Sequence, residues 1–132
     1  INSPSLIIEN ISKPITYNQI EFSFREIPNQ HIELKTQLKS VALIDQGKIT
    51  GPLKLRTYLE GDYFYPLGMK GKKLLSDFFI DEKINDFDKK QIPLLCDNHQ
   101  IMWIAGYRLD ELYKVTDATK KILRVDIRKV LS

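Results

Sequence analysis

Gly61-Asp62-Tyr63-Phe64-Tyr65-Pro66-Leu67-Gly68-Met69-Lys70-Gly71-Lys72-Lys73-Leu74-Leu75-Ser76-Asp77-Phe78-Phe79-Ile80-Asp81-Glu82-Lys83-Ile84 is the stretch in which the chain turns from strand-like alternation to a basic turn and an amphipathic helix. Gly68 and Gly71 bracket Met69-Lys70, so the backbone can bend sharply there. Leu74, Leu75, Phe78 and Phe79 recur at i, i+1, i+4 and i+5, which predicts one apolar helical face packed on a core. Lys72 and Lys73 stand where that helix begins, and cations are unfavourable beside the positive end of a helix dipole unless an anion answers them. A phosphate is the obvious candidate, because the free N–H groups of a helix start also favour anions.

Upstream of this stretch the pattern is that of strands. Residues 1 to 18 read as a lead-in with one short strand at Leu6-Ile7-Ile8. Ile20, Phe22 and Phe24 alternate with polar residues, the period of a strand with one wet face. After Pro28-Asn29-Gln30, the alternation of Ile32, Leu34 and Leu38 fits a second strand, with a short helix as the alternative. Val41-Ala42-Leu43-Ile44 reads as a buried strand ending in a hairpin turn at Asp45-Gln46-Gly47, with a return through Lys48 to Gly51. Leu53, Leu55, Thr57 and Leu59 then predict one long strand that delivers the chain to Gly61.

Downstream, Asp81-Glu82 are positioned to cap a second short helical turn through Ile84 and Phe87. Leu94-Leu95-Cys96 and Ile101 to Ala105 form a hairpin of buried strands about Asp97-Asn98-His99. Gly106 to Thr116 is too mixed for a core strand and reads as a loop leading to a sheet edge, and Leu123, Val125 and Ile127 mark a final strand. The expected architecture is α+β, mostly antiparallel sandwich-like sheets with one or two short helices in a single domain of 132 residues.

The composition, 42% hydrophobic and 28% charged, is that of a globular protein, and no apolar run approaches the ~20 residues of a membrane span. The single Cys96 cannot form an internal disulfide and points to a reducing compartment; its apolar neighbours predict a buried thiol. His31 and His99 have no ligand-spaced partners, so a metal site is not expected. The chain starts at Ile1 with no signal-peptide pattern and reads as a piece of something longer.

No catalytic motif is present. Gly68-Met69-Lys70-Gly71-Lys72-Lys73 lacks both the spacing of a nucleotide phosphate loop and the hydroxyl that would hold magnesium. Asp81 with Glu82 and Asp110 with Glu111 are adjacent pairs whose side chains diverge, so they read as caps, solvated charges or lysine partners. Binding chemistry is what remains. Lys70, Lys72 and Lys73 form one basic group and Arg108, Lys114, Lys120 and Lys121 a second, with Tyr63, Tyr65, Tyr107 and Tyr113 near both in sequence. Net charge is only +3, so placement rather than quantity decides whether these groups meet RNA, where cations neutralise phosphates and aromatic faces stack on unpaired bases.

Pro66-Leu67-Gly68-Met69, Gly71-Lys72-Lys73, Ser76-Asp77-Phe78-Phe79-Ile80-Asp81-Glu82-Lys83, Ile92-Pro93-Leu94-Leu95, Trp103-Ile104-Ala105-Gly106-Tyr107-Arg108 and Leu112-Tyr113-Lys114-Val115-Thr116 together resemble the C-terminal domain of bacterial tRNA(Ile)-lysidine synthetases. The likeness runs in unbroken order from about Arg56 to Val125. It departs at Tyr63 and Leu74, where many relatives carry basic residues. The resemblance implies a fold shared with a domain of the phenylalanyl-tRNA synthetase β chain. It also implies a parent ligase in the cytoplasm that uses ATP and magnesium to join lysine to the wobble cytidine of an isoleucine tRNA. That chemistry belongs to an N-terminal catalytic domain with a Ser-Gly-Gly-x-Asp-Ser loop, which this chain lacks. The implied partners are the isoleucine tRNA, held at its acceptor stem, and the catalytic domain, with a homodimer as a further possibility. The implied RNA-facing residues are Lys70, Lys72, Lys73, Arg108, Lys114, Tyr63 and Tyr65, with no catalytic or metal-binding residue in this part.

Overall fold

The computed structural model describes residues 4–29 and 38–130. The alternation at Ile32 and Leu34 lies outside them. In chain order the elements are β1 (Leu6–Ile8), β2 (Ile15–Tyr17), β3 (Ile20–Pro28), β4 (Val41–Asp45), β5 (Leu53–Arg56), β6 (Tyr63–Phe64), β7 (Lys73–Leu74), α1 (Leu75–Asp81), α2 (Asp86–Lys89), β8 (Leu94–Cys96), β9 (Ile101–Ile104), β10 (Arg108–Leu109) and β11 (Lys121–Lys129). A five-stranded sheet runs β1-β5-β8-β9-β10, a four-stranded sheet β2-β3-β11-β4, and β6 and β7 form a separate two-stranded ribbon. All the pairings are antiparallel, so the α+β reading holds.

The two large sheets face each other across a core of Phe22, Ile44, Leu55, Leu95, Met102, Trp103, Leu123 and Val125. A second core lies on the far side of the five-stranded sheet, where Leu75, Phe78 and Phe79 of α1 and Phe64 of the ribbon cover Leu94, Cys96, Ile101 and Ile104. Strands β8 and β9 are thus buried on both faces, which is why they read as continuous apolar runs rather than alternating ones. Burial pushes the Cys96 thiol up to about 11, which makes it a structural group and a poor nucleophile at neutral pH.

Several boundaries differ from the sequence reading, each for a local physical reason. The lead-in holds two strands, because Asn18 and Gln19 both take positive φ (50° and 65°) and close a tight hairpin between β2 and β3. Asp45-Gln46-Gly47 is not a hairpin turn. The Asp45 carboxylate accepts the Gly47 N–H at 3.0 Å and caps a 3₁₀ turn, Gln46–Lys48, after which the chain crosses to the other sheet. Gly51, at φ 74°, makes that crossing against Asn98, whose Cβ lies 2.6 Å from where a Gly51 Cβ would stand. The long strand expected to Leu59 stops at Arg56, where Arg56 forms a two-pronged ion pair with Asp62 at 2.8 and 3.0 Å and Asp62 also accepts the Leu59 N–H.

Leu74 is not a core residue: it is extended and exposed in β7, and the helix begins one residue later, with the Leu75 N–H donating to the Asp62 carbonyl at 2.9 Å. Asp81 and Glu82 do not cap the next helix. Lys83 at φ 58° ends α1, Asn85 caps α2 by accepting the Asp88 N–H at 2.8 Å, and Phe87 is exposed. The anticipated hairpin of β8 and β9 and the final strand β11 are present.

Asp97 ties the tip of that hairpin to the rest of the fold. It is buried, and its carboxylate accepts the N–H groups of Thr50, His99 and Gln100 and, at 2.8 Å, the Tyr113 hydroxyl. Burial alone would raise its pKa, but these bonds outweigh it and hold the carboxyl below its usual value. Its contribution to stability is therefore present above about pH 4 and lost as pH falls through the depressed value. Asp97→Asn should lower stability at pH 7 by about 1–3 kcal/mol, because a buried donor is left without its acceptor. Urea titrations at pH 7 and pH 3 check this: the deficit should shrink on the acid side, and an equal deficit at both values would exclude a role for the charge.

Candidate nucleic-acid interface

The ribbon pairs Tyr63 with Leu74 and Phe64 with Lys73, so the basic turn is the loop of a β-hairpin. Phe64 anchors it in the second core, while Tyr63 and Leu74 project outward. Tyr63 and Leu74 are therefore directly opposite one another, and together they make an exposed apolar pair. Gly68 and Gly71 adopt φ of 81° and 91° with open space about them, so their requirement is backbone conformation rather than room.

The loop is held by the segment that follows β9. Leu67 N–H donates to the Leu109 carbonyl at 2.9 Å and Glu111 N–H to the Tyr65 carbonyl at 2.6 Å. Gly68 N–H donates to the Glu111 carboxylate at 2.9 Å, and the Arg108 guanidinium donates twice to the Leu67 carbonyl, at 2.6 and 3.2 Å. Beneath them lies Asp110, fully buried, whose carboxylate accepts from the Tyr65 N–H at 2.9 Å, the Leu112 N–H at 2.8 Å and the Gln100 side chain at 3.1 Å. Burial raises its pKa despite the opposing bonds from Tyr65 and Leu112. The fold thus brings together two groups that lie some forty positions apart in sequence. Asp110 and Glu111 act as the cap and lysine partner that their spacing suggested.

The sequence-derived candidates divide on this frame. Lys70 and Lys72 have no carboxylate partner among the described residues, and the Lys72 ammonium lies 4.5 Å from the centre of the Tyr63 ring. Tyr63 and Tyr65 are exposed and meet edge to face at 6.1 Å. Lys73 is paired with Asp81 and Lys114 with Glu111. Arg108 is bound to a carbonyl, and no carboxylate among the described residues compensates its charge. Tyr113 does not join the surface: it is buried, with its phenol raised by burial and then by the neighbouring Asp97 charge. Lys72 and Lys73 do not stand at a helix start: they belong to the hairpin, and α1, Leu75–Asp81, spans only seven residues. Asp62 and Asp97, which also hold loops, carry no signal in the sequence beyond standing beside a turn.

Among the described residues no group of three His, Cys, Asp or Glu side chains could hold a metal ion, and no helix is long and apolar enough to cross a membrane.

Two solved structures share this fold. A crystal structure of a TilS C-terminal domain superposes with a TM-score of 0.81 at 19% identity, covering 98% of this chain and 100% of that one. An N-terminal fragment of the phenylalanyl-tRNA synthetase β subunit from Pyrococcus horikoshii superposes at 0.55 with 23% identity, over 66% of this chain and 27% of that one. The architecture is therefore the α+β fold that these two structures share. The sequence profile of the TilS substrate C-terminal domain matches residues 53–127, and the chain belongs to that family. It is 39% identical to the tRNA(Ile)-lysidine synthase of Parabacteroides distasonis over 86% of this chain and 26% of the relative. It is 43% identical to that of Dehalococcoides mccartyi over 67% of this chain and 19% of the relative. The chain thus spans about a quarter or less of the length of these relatives.

The frame yields a test of its own. Asp110→Asn places an amide donor against the Tyr65 N–H and should cost about 1–3 kcal/mol. Hydrogen exchange should show the Tyr65 and Gly68 amides losing protection well before those of β11. Uniform loss across the chain would mean that Asp110 stabilises the whole fold rather than the hairpin.

Proposed function

We propose that this chain is the RNA-holding domain of a tRNA(Ile)-lysidine synthase and engages the acceptor stem of an isoleucine tRNA while the catalytic part of the protein acts on the anticodon. The observation that carries the reading is the conjunction of the family membership with unpaired cations on a rigidly mounted, exposed hairpin. Lys70 and Lys72 contact phosphate, Arg108 supports them, and Tyr63 and Tyr65 supply aromatic surface. The ligase chemistry, with ATP and magnesium, is assigned to the part of the protein outside this chain, and the location to the cytoplasm. No reaction step is placed on the residues described.

Replacing Lys70 and Lys72 together by alanine should weaken tRNA binding and reduce the slope of log K against log salt by about 0.7–0.9 for each phosphate no longer neutralised. Lys73→Ala should do less, because Asp81 already holds that ammonium. Filter binding at several salt concentrations, with thermal melting as a folding control, decides the matter. An unaltered slope in the double variant would remove the hairpin from the interface.

A second reading is favoured by the exposed Tyr63, Tyr65, Leu74 and Leu112 around the same hairpin, which suit a docking surface for the catalytic domain or a second subunit. Sedimentation without RNA separates the two: the RNA-holding reading expects a 15.4 kDa monomer, and self-association reversed by Tyr63→Ser would favour docking.

A further inference from the structure

A cleft of about 550 Å³ is lined by residues of β4 and of the segment around Arg108. Its size lies in the range of small-ligand sites, roughly 300–1,000 Å³. Val41, Leu43, Tyr107 and Leu109 give it apolar lining, and Lys39, Arg108 and Lys114 basic lining, of which Lys114 is already paired with Glu111; Glu82 is the only acidic residue among the described lining. Arg108 is the fixed element: its Nε and Nη2 are bonded to the Leu67 carbonyl at 3.2 and 2.6 Å, so the guanidinium cannot swing away, and no carboxylate among the described residues offsets it.

Strand β4, the last of its sheet, offers directional polar groups. The Ile127 N–H donates to the Ser40 carbonyl at 2.9 Å, and antiparallel pairs alternate between bonded and non-bonded. Leu43, opposite Arg124, therefore falls at a non-bonded position, and its N–H and C=O turn away from β11. The cleft combines base-sized apolar walls, a free backbone donor and acceptor, and a preset cation.

We propose that this cleft holds one unpaired nucleotide of the bound RNA, with its base between Tyr107 and Leu43 and its phosphate on Arg108. The inference rests on the RNA-holding reading above. A splayed base presents a flat apolar face and a polar edge, and its phosphate answers the excess of cations. An extended peptide would also use the β4 edge, but its backbone has no anionic group for the fixed Arg108 charge.

The test compares two RNA stems of identical duplex sequence, one blunt and one with a short single-stranded 3′ extension, by fluorescence anisotropy on the 132-residue chain. The extension should tighten binding roughly tenfold, the effect of one stacked base. Leu43→Trp fills the cleft with a residue that strands accept, and Val115→Phe fills it from another lining position as a second variant should the first fail to fold. Arg108→Gln keeps a donor for the Leu67 carbonyl while removing the charge. The filling variants should erase the gain from the extension and leave blunt-stem affinity within about twofold, and Arg108→Gln should erase most of that gain.

Equal affinity of the unmodified chain for both stems overturns the nucleotide site and leaves the RNA-holding reading intact. Failure to bind either stem overturns both. Tight binding of an acidic strand-forming peptide that Leu43→Trp abolishes, with no effect of the variant on RNA, assigns the cleft to a peptide and overturns the proposal.

Discussion

The buried carboxylate of Asp110 is the constraint on which the exposed surface depends. A buried carboxylate is costly unless donors surround it, and here those donors come from three separate places: Tyr65 on the hairpin, Leu112 in the following turn and Gln100 at the β8–β9 tip. Satisfying one residue therefore fixes three loops. Burial pushes the Asp110 pKa up despite these donors. Phe64 and Leu75, on either side of the basic loop, anchor it in the second core.

Stacking the layers explains why such anchors cluster at the loops. The five-stranded sheet has the four-stranded sheet on one face and α1 on the other, leaving no wet face on β8 and β9. Polar groups at the ends of these strands are consequently buried too. Asp97, just after β8, takes the Tyr113 hydroxyl; Asp45, at the end of β4 in the other sheet, likewise takes the Thr119 hydroxyl at 2.9 Å. Aspartate suits both places because its short side chain can accept nearby backbone N–H groups as well as a distant donor.

Much of this was legible in the sequence, and what escaped notice had a common cause. Alternation located β3 and β11, apolar runs located β4, β8 and β9, and the spacing of Leu75, Phe78 and Phe79 located α1. The misjudged places were those where one side chain overrides a pattern. Asp62 stops a strand that alternation would extend to Leu59, and Asp45 turns an apparent hairpin into a crossing. Leu74 fits the helical stripe by spacing yet belongs to the ribbon, because periodicity does not mark where a helix starts. The candidate site was readable as residue types but not as availability. Nothing in the spacing shows that Lys73 meets Asp81, or that Tyr113 turns inward to Asp97 while Tyr65 faces outward.

Availability also separates the basic residues into two grades. Exposed ion pairs such as Lys73 with Asp81 and Lys114 with Glu111 contribute about 0–1 kcal/mol each, so a phosphate can displace the carboxylate at little cost. The carboxylate would then remain beside the phosphate and repel it, which lessens the gain. Lys70 and Lys72 meet no such opposing charge among the described residues, and the Tyr63 ring that Lys72 rests on is neutral. A net charge of +3 can therefore coexist with two lysines that no acid answers: Glu111 sits at the Gly68 N–H and pairs with Lys114, and no carboxylate among the described residues pairs with Lys70 or Lys72. Gly68 and Gly71 bend the loop that carries these lysines, and the bonds from Leu67 and Gly68 to the Leu109–Glu111 segment, the second of them to the Glu111 carboxylate, fix its base. Positive potential at this tip is thus a product of backbone geometry as much as of lysine content.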